Sequence, residues 1–224
     1  MARDGPRNAS EFERQREGMV EGQLKPRGIR DERVLRAMAQ VPRERFVPKE
    51  MRLDAYADRP LPIGEGQTIS QPYMVAAMLE ALACRPEDVA LEVGAGSGYQ
   101  AALLAELCSQ VYAVEIVEKL AERARQALEE AGYENVEVVV GDGTQGLPQH
   151  APYDRIIVAA AAPRVPEPLI EQLADGGRLV IPVGSQMTQR LLIVERHGDE
   201  IVRRKSMPCV FVPLVGRHGW KPGA

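Results

Sequence analysis

Val89-Ala90-Leu91-Glu92-Val93-Gly94-Ala95-Gly96-Ser97-Gly98-Tyr99 is the stretch around which the chain is organised. A short apolar run with one acidic residue near its end breaks into glycine at alternate positions. An apolar, helix-like pattern then resumes at Gln100-Ala101-Ala102-Leu103-Leu104. That order predicts a strand, a tight turn and a helix start. Such a turn takes glycine because its backbone leaves the ordinary angles and because a ligand approaches the main chain closely. The spacing narrows the ligand. A dinucleotide fingerprint runs G-x-G-x-x-G, whereas here the third glycine comes one residue early and Tyr99 stands where that motif has glycine. A cofactor without a diphosphate suits this turn better.

Downstream the pattern alternates strand and helix. Residues 111–115 read as a buried strand ending in a carboxylate, and 118–131 as an amphipathic helix stopped by Gly132. A strand at 136–140 runs into Gly141-Asp142-Gly143, and further strands are predicted at 153–158 and 177–182, with a short helix at 166–173 between them. Residues 191–195 and 201–205, joined through His197-Gly198-Asp199, read as a hairpin. Phe211-Val212-Pro213-Leu214 reads as a last edge segment, with the tail fraying after Gly219. Repeated βα units predict an α/β fold: a Rossmann-like, doubly wound, mainly parallel sheet with C-terminal antiparallel strands.

Upstream, residues 1–9 read as a frayed tail. Ser10-Glu11-Phe12-Glu13 has the S-x-x-E form of a capping box opening a helix toward Leu24, and Pro26 and Gly28 break it. Asp31 can cap a second helix that carries Val34, Leu35 and Met38 on one face and ends at Pro42. Residues 56–66, with two prolines and two glycines, suit a surface loop. Pro72 is placed to start a helix whose buried stripe is Met74, Val75, Met78, Leu79 and Leu82. One domain is expected: an N-terminal helical extension and loop over 1–84, a cofactor-binding core over 85–185 and C-terminal strands over 186–216.

Composition excludes several classes. The chain has 224 residues, 45% hydrophobic and 27% charged, enough for one well-buried core. A net charge of −4 provides no basic field to gather nucleic acid or an anionic membrane. No apolar run approaches the roughly 20 residues of a membrane span, and the first residues lack a secretory hydrophobic region. The cytoplasm is therefore the expected compartment. Cys84, Cys108 and Cys209 are far apart and odd in number, and His150, His197 and His218 are scattered, so no metal site is expected.

In open α/β sheets, ligands sit beyond the carboxyl ends of the strands, at the point where strand order reverses. The glycine turn, Glu115 and Asp142 all fall at such ends. Glu115 lies about twenty residues past the glycines, where an acidic side chain accepts hydrogen bonds from ribose hydroxyls; a solvated carboxylate capping the strand is the plainer alternative. The Asp142 carboxylate could accept from an adenine amino group while the Gly143 amide donates to the ring, against the reading of a simple Asp-Gly turn. S-adenosylmethionine has a ribose and an adenine but no diphosphate.

With those residues placed, the segments 91–99, Val114-Glu115 and 140–143 resemble the first motifs of the class I S-adenosylmethionine-dependent methyltransferases. Gly66-Gln67-Thr68-Ile69-Ser70-Gln71-Pro72-Tyr73-Met74 resembles the signature of the protein-L-isoaspartate (D-aspartate) O-methyltransferases. So do Arg27-Gly28-Ile29, Val41-Pro42-Arg43-Glu44-Arg45-Phe46-Val47-Pro48, residues 154–163 and Val212-Pro213-Leu214, so that the similarity spans residues 19–216. The resemblance implies a repair enzyme that methylates the α-carboxylate of L-isoaspartyl, and of D-aspartyl, residues in damaged proteins. The ester recloses to a succinimide and returns part of the material to aspartyl. It implies S-adenosylmethionine as methyl donor, S-adenosylhomocysteine as product, and isoaspartyl peptides and proteins as partners. It also implies Ser70 as the active-site residue. Thr68, Ile69, Gly94, Gly96, Ser97, Glu115, Ile116, Asp142 and Gly143 would bind the cofactor, and residues 212–214 would help hold the substrate backbone.

A monomer is expected. Two alternatives stand beside this reading: a methyltransferase for a small molecule or RNA on the same scaffold, and a non-catalytic cofactor-binding protein. Ala159-Ala160-Ala161-Ala162-Pro163 after the fourth strand offers no polar or aromatic side chain to clamp a flipped base, which disfavours a nucleobase acceptor.

Overall fold

A computed structural model of the chain describes residues 6–221. Helix α1 (Pro6–Met19) runs through a π turn at Val20–Leu24 and a 3-10 turn at Lys25–Arg27, and Gly28 ends it with φ 97°. The helix starts ahead of the expected capping box, with Ser10 more than one turn inside it. Proline suits a helix start, and an S-x-x-E spacing also occurs within helices, where it sets two side chains one turn apart. Residues 1–5 of the expected tail lie outside the described residues. Helix α2 (Glu32–Gln40) begins as the sequence predicts: Asp31 Oδ1 accepts from the amides of Arg33 at 2.8 Å and Val34 at 3.3 Å.

The expected surface loop contains a hairpin, β1 (Leu61–Gly64) with β2 (Gln67–Ile69). Leu61 and Ile63 are buried while Pro62 and Gly64 are exposed. That alternation is the only local trace of the hairpin, and strands this short leave little of it. The hairpin delivers Ser70 and Gln71 to helix α3 (Pro72–Leu82), with Pro72 at its first position. Val75, Met78, Leu79 and Leu82 are buried as expected, and Met74 is half-buried.

The main sheet is built from β3 (Val89–Val93), β4 (Gln110–Glu115), β5 (Val136–Val140), β6 (Tyr153–Val158), β7 (Leu173–Gly184), β8 (Gln189–His197) and β9 (Glu200–Cys209). Helices α4 (Tyr99–Ala105), α5 (Glu118–Ala131) and α6 (Glu167–Glu171) connect its parallel part. The order is β5-β4-β3-β6-β7-β8-β9. The five strands from β5 to β7 are parallel, and β8 and β9 are antiparallel, which is the Rossmann-like sheet the sequence predicts. From β3 the chain steps outward to β4 and β5, then crosses back to β6 on the other side of β3. The order therefore reverses between β3 and β6, and a crevice opens at their carboxyl ends.

Alternate residues of each strand feed one of two apolar layers. Ala90, Ile157 and Val180 face the layer covered by α2 to α5, while Leu91, Val93, Ile156, Val158 and Leu179 face the layer that includes Leu169 of α6. The bounds of β7 and α6 differ from the sequence reading. Strand β7 begins at Leu173, so α6 is shorter than predicted, and its pairing with β6 slips between Tyr153 and Arg155 to absorb the Asp175-Gly176-Gly177 turn.

Phe211-Val212-Pro213-Leu214 does not join the sheet edge. It crosses the strand ends: the Ala161 amide donates to the Val212 carbonyl and the Leu214 amide to the Ala161 carbonyl, both at 2.8 Å. Pro213 has no amide to give a ladder, so an apolar run built around it fits a strap as well as a strand. Nor does the chain leave the body after Gly219, because the Trp220 indole Nε1 donates to the Ala161 carbonyl at 3.0 Å.

Candidate active site

The glycine turn between β3 and α4 is left-handed three times, with φ of 91° at Gly94, 54° at Gly96 and 85° at Gly98. The amides of Gly94 and Ala95 donate to the Val114 carbonyl at 2.8 and 3.3 Å, which stitches the turn to the end of β4. There Glu115, 6% exposed, accepts from the Gly96 amide through Oε2 and from the Val117 amide through Oε1, each at 2.9 Å. Each carboxylate oxygen keeps a second lone pair for a ligand hydroxyl.

These groups border a cleft at the carboxyl ends of β3 and β4. Ser70, Thr68, Ile69, Gly94, Gly96, Ser97, Glu115, Ile116 and Gly143 all line it, so nine of the ten residues singled out in the sequence come together. Val212, Pro213, Leu214 and Val215 of the strap close it on the far side. Among the described residues, two carboxyl groups, Glu92 and Glu115, line the cleft and no lysine or arginine does. A diphosphate would meet uncompensated negative charge here, whereas a ligand carrying a sulfonium and an ammonium would be attracted.

Glu92 is the residue the sequence reading passed over. It is fully buried near the end of β3, and neither carboxyl oxygen has a hydrogen-bond partner among the described residues. Burial, with the Glu115 carboxylate as a second cause, pushes its carboxyl well above the ordinary glutamate range; Gln100 opposes this in part. An orphaned buried carboxyl facing a ligand cleft is costly unless a cation or donor completes it. The signal was present as an acidic residue inside an otherwise apolar strand.

Ser70 stands at a junction. It lines this cleft and also a second cleft bounded by Arg27, Tyr73, Met74, Met187, Met207 and Val210, and Thr68, Ala159 and Val212 border both as well. Its hydroxyl has no hydrogen-bond partner among the described residues, while its carbonyl accepts from Arg43 Nη2 at 2.7 Å. Arg43 is fully buried, gives Nε to the Ala55 carbonyl at 2.7 Å and lies 4.9 Å from the Tyr99 ring centroid. Burial lowers its guanidinium to about 10, so it stays charged at neutral pH behind the serine. At the outer rim, Arg27 lies 3.5 Å over the Tyr73 ring and pairs with Asp58.

Asp142 is the tenth residue, and it does not line the cleft. Its carboxylate is occupied elsewhere: Oδ1 accepts from the Thr144 amide at 3.0 Å and hydroxyl at 2.6 Å, and Oδ2 from the Arg217 amide at 2.8 Å and Gln145 Nε2 at 3.3 Å. The glycine after it serves packing, since a Cβ at Gly143 would stand 2.6 Å from Val93 Cγ1.

Known proteins resemble this chain along most of its length. The sequence profile of the family described as protein-L-isoaspartate(D-aspartate) O-methyltransferase matches residues 14–219. The chain belongs to that family. It is 57% identical over 212 residues to the protein-L-isoaspartate O-methyltransferase of Methanoculleus marisnigri, covering 93% of this chain and 94% of the relative. It is 56% identical to that of Aeropyrum pernix, covering 97% and 85%. Among solved structures, a protein-L-isoaspartate O-methyltransferase superposes with a TM-score of 0.82 at 30% identity, covering 91% of this chain and 67% of that one. A Plasmodium falciparum beta-aspartate methyltransferase, solved with S-adenosyl-L-homocysteine, gives 0.76 at 27%, covering 88% and 96%.

No described helix is long and apolar enough to cross a membrane.

Proposed function

We propose that Ser70 orients the free carboxylate of a damaged residue for methylation, the α-carboxylate of L-isoaspartyl or the side-chain carboxylate of D-aspartyl, with the donor held in the cleft beneath it. One observation carries this reading: a hydroxyl with no hydrogen-bond partner among the described residues stands where a cleft suited to a cation meets a second, mostly apolar cleft. S-adenosylmethionine, when bound, supplies an electrophilic methyl group on a sulfonium. Glu115 would accept from the ribose hydroxyls, Ile116 and the Gly143 backbone would border the adenine, and the turn at Gly94, Gly96 and Ser97 would back the methionine tail beside Thr68 and Ile69. Glu92 would answer the positive charge.

The acceptor needs no general base, because an α-carboxylate with a pKa of about 3.5 is already an anion at neutral pH. The chain's task is alignment and exclusion of water. Opposite charges vanish as the oxygen–carbon bond forms and the carbon–sulfur bond breaks. Holding both partners in line lowers such a barrier by up to roughly 7–11 kcal/mol. The strap and the Ser70 loop border both clefts and supply that alignment. The methyl ester then recloses to a succinimide without further help.

We read the chain as a cytoplasmic monomer with one catalytic domain, acting on protein and not on nucleic acid. The net charge of −4 and the four-alanine run of residues 159–162, whose Ala161 is bonded to the strap, support a protein acceptor. Incubation with labelled S-adenosylmethionine, aged protein and total RNA tests this: base-labile label in the protein alone is expected, and label in the RNA would contradict it. For the donor site, Glu115→Ala should weaken S-adenosylhomocysteine binding by about 1.5–3 kcal/mol, the worth of hydrogen bonds to a charged group. Calorimetry giving wild-type affinity in a folded variant would remove Glu115 from the ribose.

A further inference from the structure

The turn that carries Gly143 into the cofactor cleft is tied to the far end of the chain. Of the four donors to the Asp142 carboxylate, three come from its own turn, and the fourth is the Arg217 amide at 2.8 Å. A second tie runs alongside, as the Thr144 hydroxyl that donates to Asp142 also accepts from the His218 amide at 3.0 Å. The two segments touch so closely that a Cβ at Gly216 would stand 2.1 Å from Asp142 Oδ1. From this anchor the strap runs back through Val215 and Leu214, in the wall of the cofactor cleft, to Val212, which borders both clefts. Its other fastenings are the bonds to Ala161 and the Phe211 amide, which donates to the buried Gln189 Oε1 at 2.7 Å.

We infer that Asp142 is a positioning residue: its carboxylate fixes the strap of residues 212–220 over the strand ends, and so sets the wall against which both methyl donor and isoaspartyl peptide are held. The inference rests on the assignment of the two clefts made above. It gives Asp142 work on the acceptor side, which a bond from its carboxylate to adenine would not. Burial alone would raise the Asp142 carboxyl, but the Arg217, Thr144 and Gln145 donors outweigh it and hold the carboxyl below the ordinary aspartate range. The anchor is therefore ionised at neutral pH, and its bonds are charge-assisted. An asparagine at this position must turn an amide group toward one set of donors, so it cannot keep both the turn and the strap.

The strap carries its own reporter, since Trp220 is the sole tryptophan of the chain. In Asp142→Asn, the emission of Trp220 should move to the red, and the KM for an isoaspartyl peptide should rise about tenfold or more, with kcat at saturation far less affected. Gly216→Ala attacks the same contact from the strap side and should reproduce both changes; it decides the question alone if Asp142→Asn does not fold. Unmoved emission and unmoved peptide KM in a folded variant would overturn the inference, and a loss confined to cofactor affinity would return Asp142 to the adenine. Absence of methyl transfer by the unaltered protein would instead overturn the assignment of the clefts and the positioning role with it.

Discussion

Replacing Ser70 by alanine is expected to lower kcat for an isoaspartyl peptide about a hundredfold while S-adenosylhomocysteine binds as before. The size follows from alignment: displacing a reacting group by about 1 Å costs on the order of 10²-fold. The selectivity follows from position. The Ser70 hydroxyl has no partner among the described residues to lose, and its carbonyl is held by the Arg43 guanidinium whichever side chain residue 70 carries. The substitution should therefore leave the loop in place and remove only the group that meets the acceptor. Steady-state kinetics beside calorimetry would check it. A wild-type kcat in Ser70→Ala would end the orienting role, and an equal loss of cofactor affinity would move the serine to the donor side.

Glu92→Gln is expected to weaken S-adenosylmethionine binding by roughly a hundredfold, near 3 kcal/mol, because removing one member of a buried ion pair leaves the other charge uncompensated. The same change should abolish a pH dependence. On its own, the Glu92 carboxyl titrates well above the ordinary range, through burial and then the neighbouring Glu115 charge, with Gln100 opposing. A bound cation favours the ionised form, so binding releases a proton, and affinity rises with pH until that raised value is passed. Stability has the opposite sign. A carboxyl whose folded value is raised stabilises the fold fully only below about pH 4.3, where the unfolded chain titrates, and that contribution is lost as pH rises through the folded value. Glu92→Gln should therefore melt less pH-dependently than the wild type while binding worse. Calorimetry across pH 5–9 with equal slopes for both proteins would remove Glu92 from the cofactor.

The two residues differ in how legible they were. Ser70 was named through a motif, whereas nothing local marks a serine before Gln71-Pro72 as more than a turn residue. Glu115 could be brought to the cleft by spacing alone, because the strand that follows a glycine turn ends beside it. Glu92 escaped because one acidic residue in an apolar strand does not reveal that its side chain faces a cleft. Asp142 points to a different limit: the Asp-Gly turn was visible, but its partner Arg217 lies 75 residues away and donates through its backbone, which no side-chain pattern records. For the fold, the strands of the parallel sheet were readable as apolar runs. The β1–β2 hairpin and the strap were not, since each is held by a few long-range backbone bonds around prolines and glycines.

The central claim is that the acceptor is a displaced carboxylate on a protein backbone. The direct measurement is methyl transfer from labelled S-adenosylmethionine to two peptides of one sequence, one with isoaspartyl and one with normal aspartyl at the same position. Base-labile label on the isoaspartyl peptide alone is the expected result. Equal labelling of both, or of neither while S-adenosylhomocysteine still binds, would contradict it.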